Sequence, residues 1–135
     1  MDRKCYPKVG FMFCLNVRQT GIGFASRLVD GSKSIETRTK RALAILLKNG
    51  LAIGETVGIV SGGYLIGAVK VTGIKEYGSY KEFHDDDHDH LVLPGTPFDY
   101  DKKKGKVGII VADPVKFHYP MPVEKLNHPQ GWRVI

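Results

Sequence analysis

Apolar residues in this chain fall into two kinds of run, nearly continuous ones of strand length and ones spaced three and four apart. Val9 to Val17 (VGFMFCLNV) is of the first kind and predicts a central strand. Phe24, Ala25, Leu28 and Val29 recur at helical spacing, with Thr20 placed to cap the helix and Gly31 to end it in a left-handed turn. A second amphipathic helix runs through Ala42, Leu43, Leu46 and Leu47. Thr39 stands at its start, Lys48 in its last turn and Gly50 just beyond.

Further along, Glu55 to Ser61 and Tyr64 to Ile74 read as two strands joined through Gly62-Gly63, the composition of a tight hairpin. Gly67 and Gly73 inside the second strand predict a bulge or the bend of a small barrel. Ser79 to Phe83 reads as a short helical turn. His84 to His90 (HDDDHDH) looks too polar to pack, and residues 84–106 read as a mobile surface excursion holding Pro94-Gly95, Thr96-Pro97 and DKKKGK. Val107 to Ala112 predicts a buried strand, Val115 to Tyr119 a half-buried one, and Trp132 to Ile135 a short closing strand. The expected fold is α+β: a mixed, curled sheet of about six strands with two N-terminal helices.

Composition narrows the class. At 135 residues, with 42% hydrophobic and 25% charged, the chain reads as one core-forming domain spanning 1–135, with residues 1–8 a basic lead and no internal repeat. Lys and Arg number 20 against 14 Asp and Glu, a net charge of +6, which favours polyanionic partners such as nucleic acid. Cys5 and Cys14 sit at no metal-ligand spacing, and Cys14, within an apolar run, reads as a buried thiol. No run of about 18 apolar residues suggests a membrane partner, and a reducing cytoplasm is the expected setting. Nothing in the sequence calls for a cofactor.

The stretch Gly31 to Arg38 (GSKSIETR) concentrates the chemistry. Strand alternation would put Glu36 and Arg38 on one face with Ser34, and Lys33, Ile35 and Thr37 on the other. One reading is an exposed in-strand Glu36/Arg38 ion pair, worth little on a surface. The other is a ligand site. Lys33 offers a mobile point charge, and Arg38 a planar fork for a phosphate. Glu36 can orient either cation, accept from a base amino group or act as a general base. Arg18, Lys40 and Arg41 are near enough in sequence to extend a phosphate-tracking stripe, the alternative being a solvated basic face. Among Tyr64, Tyr77, Tyr80, Phe83, Phe98 and Tyr100, Tyr64 beside the glycine turn is the chosen stacking ring for a base. The His84–His90 run has metal-ligand chemistry but no apolar flanks. No metal site is assigned to it; an acidic loop competing with an anionic ligand over the basic site is the alternative role.

The order of elements and these residues resemble the ASCH domains of the PUA-like superfamily. The anchor is an apolar first strand, a helix ending in glycine, then a pattern close to G-x-K-x-x-E-x-R met by Gly31, Lys33, Glu36 and Arg38. The GETVGIVSG stretch and the closing PMPVEKLNHPQGWRV run support it. The resemblance implies a partly open β-barrel with helices at its ends and a basic cleft beside the Lys33 strand, suited to RNA, another nucleic acid or a nucleotide. Some ASCH relatives resemble amidohydrolases acting on acetylated cytidine, others ribonucleases. In the amidohydrolase-like pattern a threonine nucleophile follows the lysine at the third position, where this chain has Glu36, with Ser34 and Thr37 close by. Lys33 and Glu36 are the catalytic candidates if the protein is an enzyme; binding is the expected function.

Overall fold

The computed structural model describes residues 11–125 and 131–134. The basic lead, Cys5, residues 126–130 of the closing run, and Ile135 lie outside the described residues. The elements are β1 (Phe11–Asn16), α1 (Phe24–Asp30), β2 (Ile35–Arg38), α2 (Lys40–Lys48), β3 (Thr56–Ser61), β4 (Tyr64–Tyr77), α3 (Tyr80–Asp85), α4 (Asp87–His90), β5 (Lys106–Lys125) and β6 (Gly131–Val134).

The sheet runs β2-β5-β4-β3-β1-β6, and β6 pairs again with β5. This closes a ring of β5, β4, β3, β1 and β6, with β2 attached outside it to the head of β5. β1 and β3 run parallel, and every other pairing among the described strands is antiparallel. The strand β5 can serve two neighbours because it is 20 residues long. Its start pairs with β2, Val107 opposite Arg38, and its end with β6, Val123 opposite Val134. The curl comes from irregular register, with shifts in the β4–β5 ladder at Leu65/Gly67, Ala68/Lys70 and Val71/Gly73. Bulges of this kind bend a strand and tighten its twist.

Val57 to Val60 are all buried, as in a strand flanked on both sides and covered on both faces. Leu28 and Val29 of α1 and Leu43 and Leu46 of α2 join Leu15, Ile59, Val69 and Ile109 in the larger core cluster. Cys14, Val60, Leu65, Ala68 and Phe117 form a smaller one. Burial pushes the Cys14 thiol up to about 12, so it behaves as a small hydrophobe. Gly67 lets α1 approach β4 and β5: a Cβ there would stand 2.3 Å from the Val115 carbonyl oxygen and 2.6 Å from Val29 Cγ1.

Several local expectations hold. Gly31 ends α1 at φ 88°, the Thr39 hydroxyl accepts from the Ala42 N–H, and Gly62-Gly63 turn the hairpin at φ 60° and 83°. Others are corrected. α1 is capped by Gly23, not Thr20, whose hydroxyl instead accepts from the Ile22 N–H. The strands expected at 107–112 and 115–119 are one strand. Asp113-Pro114 are taken up between the pairs Lys70–Ala112 and Ala68–Val115, two β5 residues facing one β4 residue. The polar run expected not to pack carries α4 and the end of α3. Asp85, Asp87, His88 and Asp89 face solvent while His90 is 0% exposed, stacked 4.1 Å from the Phe83 ring. Among the described residues no helix is long and apolar enough to cross a membrane.

Candidate functional site

β2 begins at Ile35, so Lys33 lies before the strand and is not bound by its alternation. The turn carries it across to Glu36. Lys33 Nζ sits 3.6 Å from Glu36 Oε1, donates to the His90 carbonyl and lies 4.5 Å from the Phe24 ring centroid. At 1% exposed it is the largest fully buried side chain described. Burial pulls its pKa below the usual lysine range, while Glu36 works against that. The mobile point charge of the sequence reading is therefore corrected to a pinned ammonium.

Arg38 reaches back along its own strand. Its Nη2 donates to Glu36 Oε2 and to the Asn16 carbonyl, both at 3.0 Å, while its buried Nε has no hydrogen-bond partner. Glu36 is thus held between two cations, with a side chain 9% exposed. The expected ion pair exists, buried and not on an exposed edge.

Beside this triad opens a cleft of about 280 Å³. Its walls are residues 16–18 after β1, residues 36–39 of β2 and its exit, Ala42 of α2, Phe24, Pro97, Phe98 and Lys106. The structure therefore brings Arg18, Glu36 and Arg38 together. Lys33 stands behind Glu36 and lines a separate cavity of about 150 Å³ with Leu28, Gly31 and Pro114. Lys40 and Arg41 do not line the cleft; the Lys40 ammonium pairs with Glu76 at 2.9 Å across exposed surface. Tyr64, 49% exposed at the hairpin, does not line it either. Its aromatic wall is Phe98, edge-on to Phe24 at 5.8 Å, while Tyr77 and Phe83 belong to the core.

Sequence reasoning missed Lys106. It reads as the last charge of a surface run, yet it is the first residue of β5 and only 6% exposed. The available signal was its place directly before the buried VGIIVA strand.

His84, Asp87 and His90 each offer an atom to a common point, all within 4.8 Å of one another. Their polar atoms are already committed. His90 Nε2 donates to the Phe83 carbonyl and Nδ1 accepts from the Val92 N–H; the two ring nitrogens of His84 each lie 2.6 Å from a carboxylate, Asp87 and Asp99. This is a hydrogen-bonded brace. The role of an acidic loop over the basic cleft is corrected too: the segment packs against the β2 approach, where the Asp89 carbonyl accepts from the Ser34 N–H.

No protein-family profile and no curated protein matches the chain. Solved structures do. The crystal structure of ASCH from Zymomonas mobilis superposes with a TM-score of 0.62 at 15% identity, covering 99% of this chain and 89% of that one. The chain has the ASCH fold. A tyrosine-to-phenylalanine variant of the Zymomonas mobilis protein gives 0.62 at 14% identity, over 96% and 91% of the two chains. A serine-to-alanine variant gives 0.59 at 16%, over 89% and 86%. The ASCH likeness extends across nearly the whole chain, so the helices, β2 and the triad lie within it, and at these identities it is a likeness of fold.

Proposed function

We propose that the protein binds nucleic acid, RNA foremost, or a nucleotide through the cleft beside β2. One observation carries this reading: Arg18, Arg38 and Lys106 line the cleft against a single carboxylate, Glu36, which Arg38 and Lys33 already neutralise. Such a surface suits phosphate, and the Phe98 ring in the same wall suits a nucleobase. The net charge of +6 supports attraction of a polyanion over distance. Binding is preferred to hydrolysis because Glu36 is spent as a brace between two cations, which disfavours its service as a general base.

Fluorescence anisotropy with a labelled mixed-sequence single-stranded RNA, at several salt concentrations, tests the reading. Affinity is expected to fall linearly on logarithmic axes, with a slope of about −0.7 for each phosphate contact. Arg18→Gln should weaken all sequences alike and flatten the slope. Absence of binding at low salt would reject the proposal, and RNA cleavage that persists with chelator and is lost on Lys33→Met would replace it with a hydrolase.

A further inference from the structure

Lys106 is 94% buried by its 6% exposure, yet among the described residues its ammonium has neither a hydrogen bond nor an ion pair. Lys33, equally buried, has a carbonyl, a carboxylate and a ring. Lys106 lines the cleft, and its ammonium keeps contact with the solvent there, which an anion can displace. Arg38 adds a buried donor without a partner, its Nε.

The third contribution comes from the backbone. α2 is nine residues long, and its first turn contains no acidic side chain. Thr39 caps the Ala42 N–H, and the Leu43 N–H bonds to the Thr39 carbonyl. Lys40 and Arg41 stand back from the cleft, so α2 contributes through the positive end of its dipole, with Thr39 and Ala42 in the cleft wall. Gly105 brings this turn beside Lys106: the Lys40 stem crosses so closely that a Cβ on Gly105 would meet its Cδ at 2.8 Å. Thr39, Ala42, Arg38 and Lys106 all line the same cleft.

We propose that Lys106, the Arg38 guanidinium and the first turn of α2 form a subsite for one phosphate group of the ligand bound in the cleft. The proposal deepens the nucleotide reading and rests on it for the source of the phosphate. Burial holds the Lys106 pKa below the usual lysine range, with Glu36 opposing the shift and Arg38 adding to it. A bound phosphate supplies the missing counter-charge, and charge-assisted hydrogen bonds to it are the strong kind.

The test is calorimetric titration with inorganic phosphate, and with adenosine monophosphate against adenosine, on the wild type, Lys106→Met, Lys106→Arg and Lys102→Met, the last altering an exposed lysine. The wild type and Lys102→Met should bind phosphate and prefer the monophosphate to the nucleoside. Lys106→Met should lose about tenfold or more in both and erase the preference, and Lys106→Arg should retain part of it. Thermal melting separates this from damage to the fold: Lys106→Met removes a charge that has no hydrogen bond or ion pair to lose among the described residues, and its Tm should stay at or above wild type. Phosphate binding unchanged in Lys106→Met would overturn the subsite, as would binding lost only along with Tm. The RNA assay distinguishes the two readings. RNA binding with phosphate affinity indifferent to Lys106 rejects the subsite and leaves the proposed function standing. Phosphate binding through Lys106 without RNA binding does the reverse.

Discussion

Lys33 and Lys106 are both buried lysines, lining separate cavities, and they differ in what their ammonium groups meet. Lys33 is enclosed by the His90 carbonyl, Glu36 and the face of Phe24. Lys33→Ala would leave Glu36 to Arg38 alone and strip the buried His90 carbonyl of its donor, and should destabilise the protein by about 1–3 kcal/mol in urea unfolding. A loss under about 1 kcal/mol would show the ammonium to be dispensable. Any RNA-binding defect of that variant must then be read against its stability. Gly67 is the backbone counterpart. Its missing Cβ makes room for the Val115 carbonyl and Val29, and Gly67→Ala should cost about 1–3 kcal/mol through forced displacement of α1 from the sheet, measurable by the same unfolding curve.

At the scale of elements, α3 and α4 turn a polar segment into a strut between the sheet and the wall of the cleft. Asp86 accepts from Lys75 and from the Tyr77 hydroxyl on β4, at 2.8 and 2.7 Å. His84 bridges Asp87 to Asp99, and Asp99 also accepts from the N–H groups of Gly95 and Tyr100, bracing the turn that carries Pro97 and Phe98. Only the doubly protonated imidazolium donates from both nitrogens. Burial lowers the His84 pKa, but the hydrogen bonds to Asp87 and Asp99 outweigh it and the net direction is upward. A histidine raised on folding contributes stability that is fully present below its unfolded pKa, about 6.5, and is lost as pH rises through the folded value. The Tm gap between wild type and His84→Gln should therefore be widest near pH 6 and narrow towards about pH 9. A gap that is constant, or grows with pH, would place the clamp's contribution elsewhere.

For the whole molecule, the proposed RNA binding has the excess of cations acting at a distance and the cleft acting at contact. The two are separable by salt. Replacing the exposed Arg41, which does not line the cleft, should lower the RNA association rate at low salt and leave affinity at high salt nearly unchanged. Replacing Arg38 should weaken binding at both salt concentrations, because its contacts are sheltered from counterions. Stopped-flow association and equilibrium anisotropy at two ionic strengths separate these outcomes.

Much of the element order is set by local physics and is legible in the chain alone. The spacing of Phe24, Ala25, Leu28 and Val29 makes a helix, Gly31 and Gly62-Gly63 supply the positive φ that a helix end and a two-residue turn require, and Gly67 and Gly73 coincide with shifts of register. The ASCH-like order of strands and helices follows from those signals, and so does the Glu36–Arg38 pair, two residues apart on one strand face. Tertiary structure alone decided which charges meet. Lys33 finds a carbonyl 57 positions away, Arg38 one 22 positions away, and Lys106 arrives in the cleft because β5 pairs with β2. Spacing along a sequence holds no information about such distances, and it is the partners met in the fold that make Lys33 a brace and leave Lys106 facing the cleft.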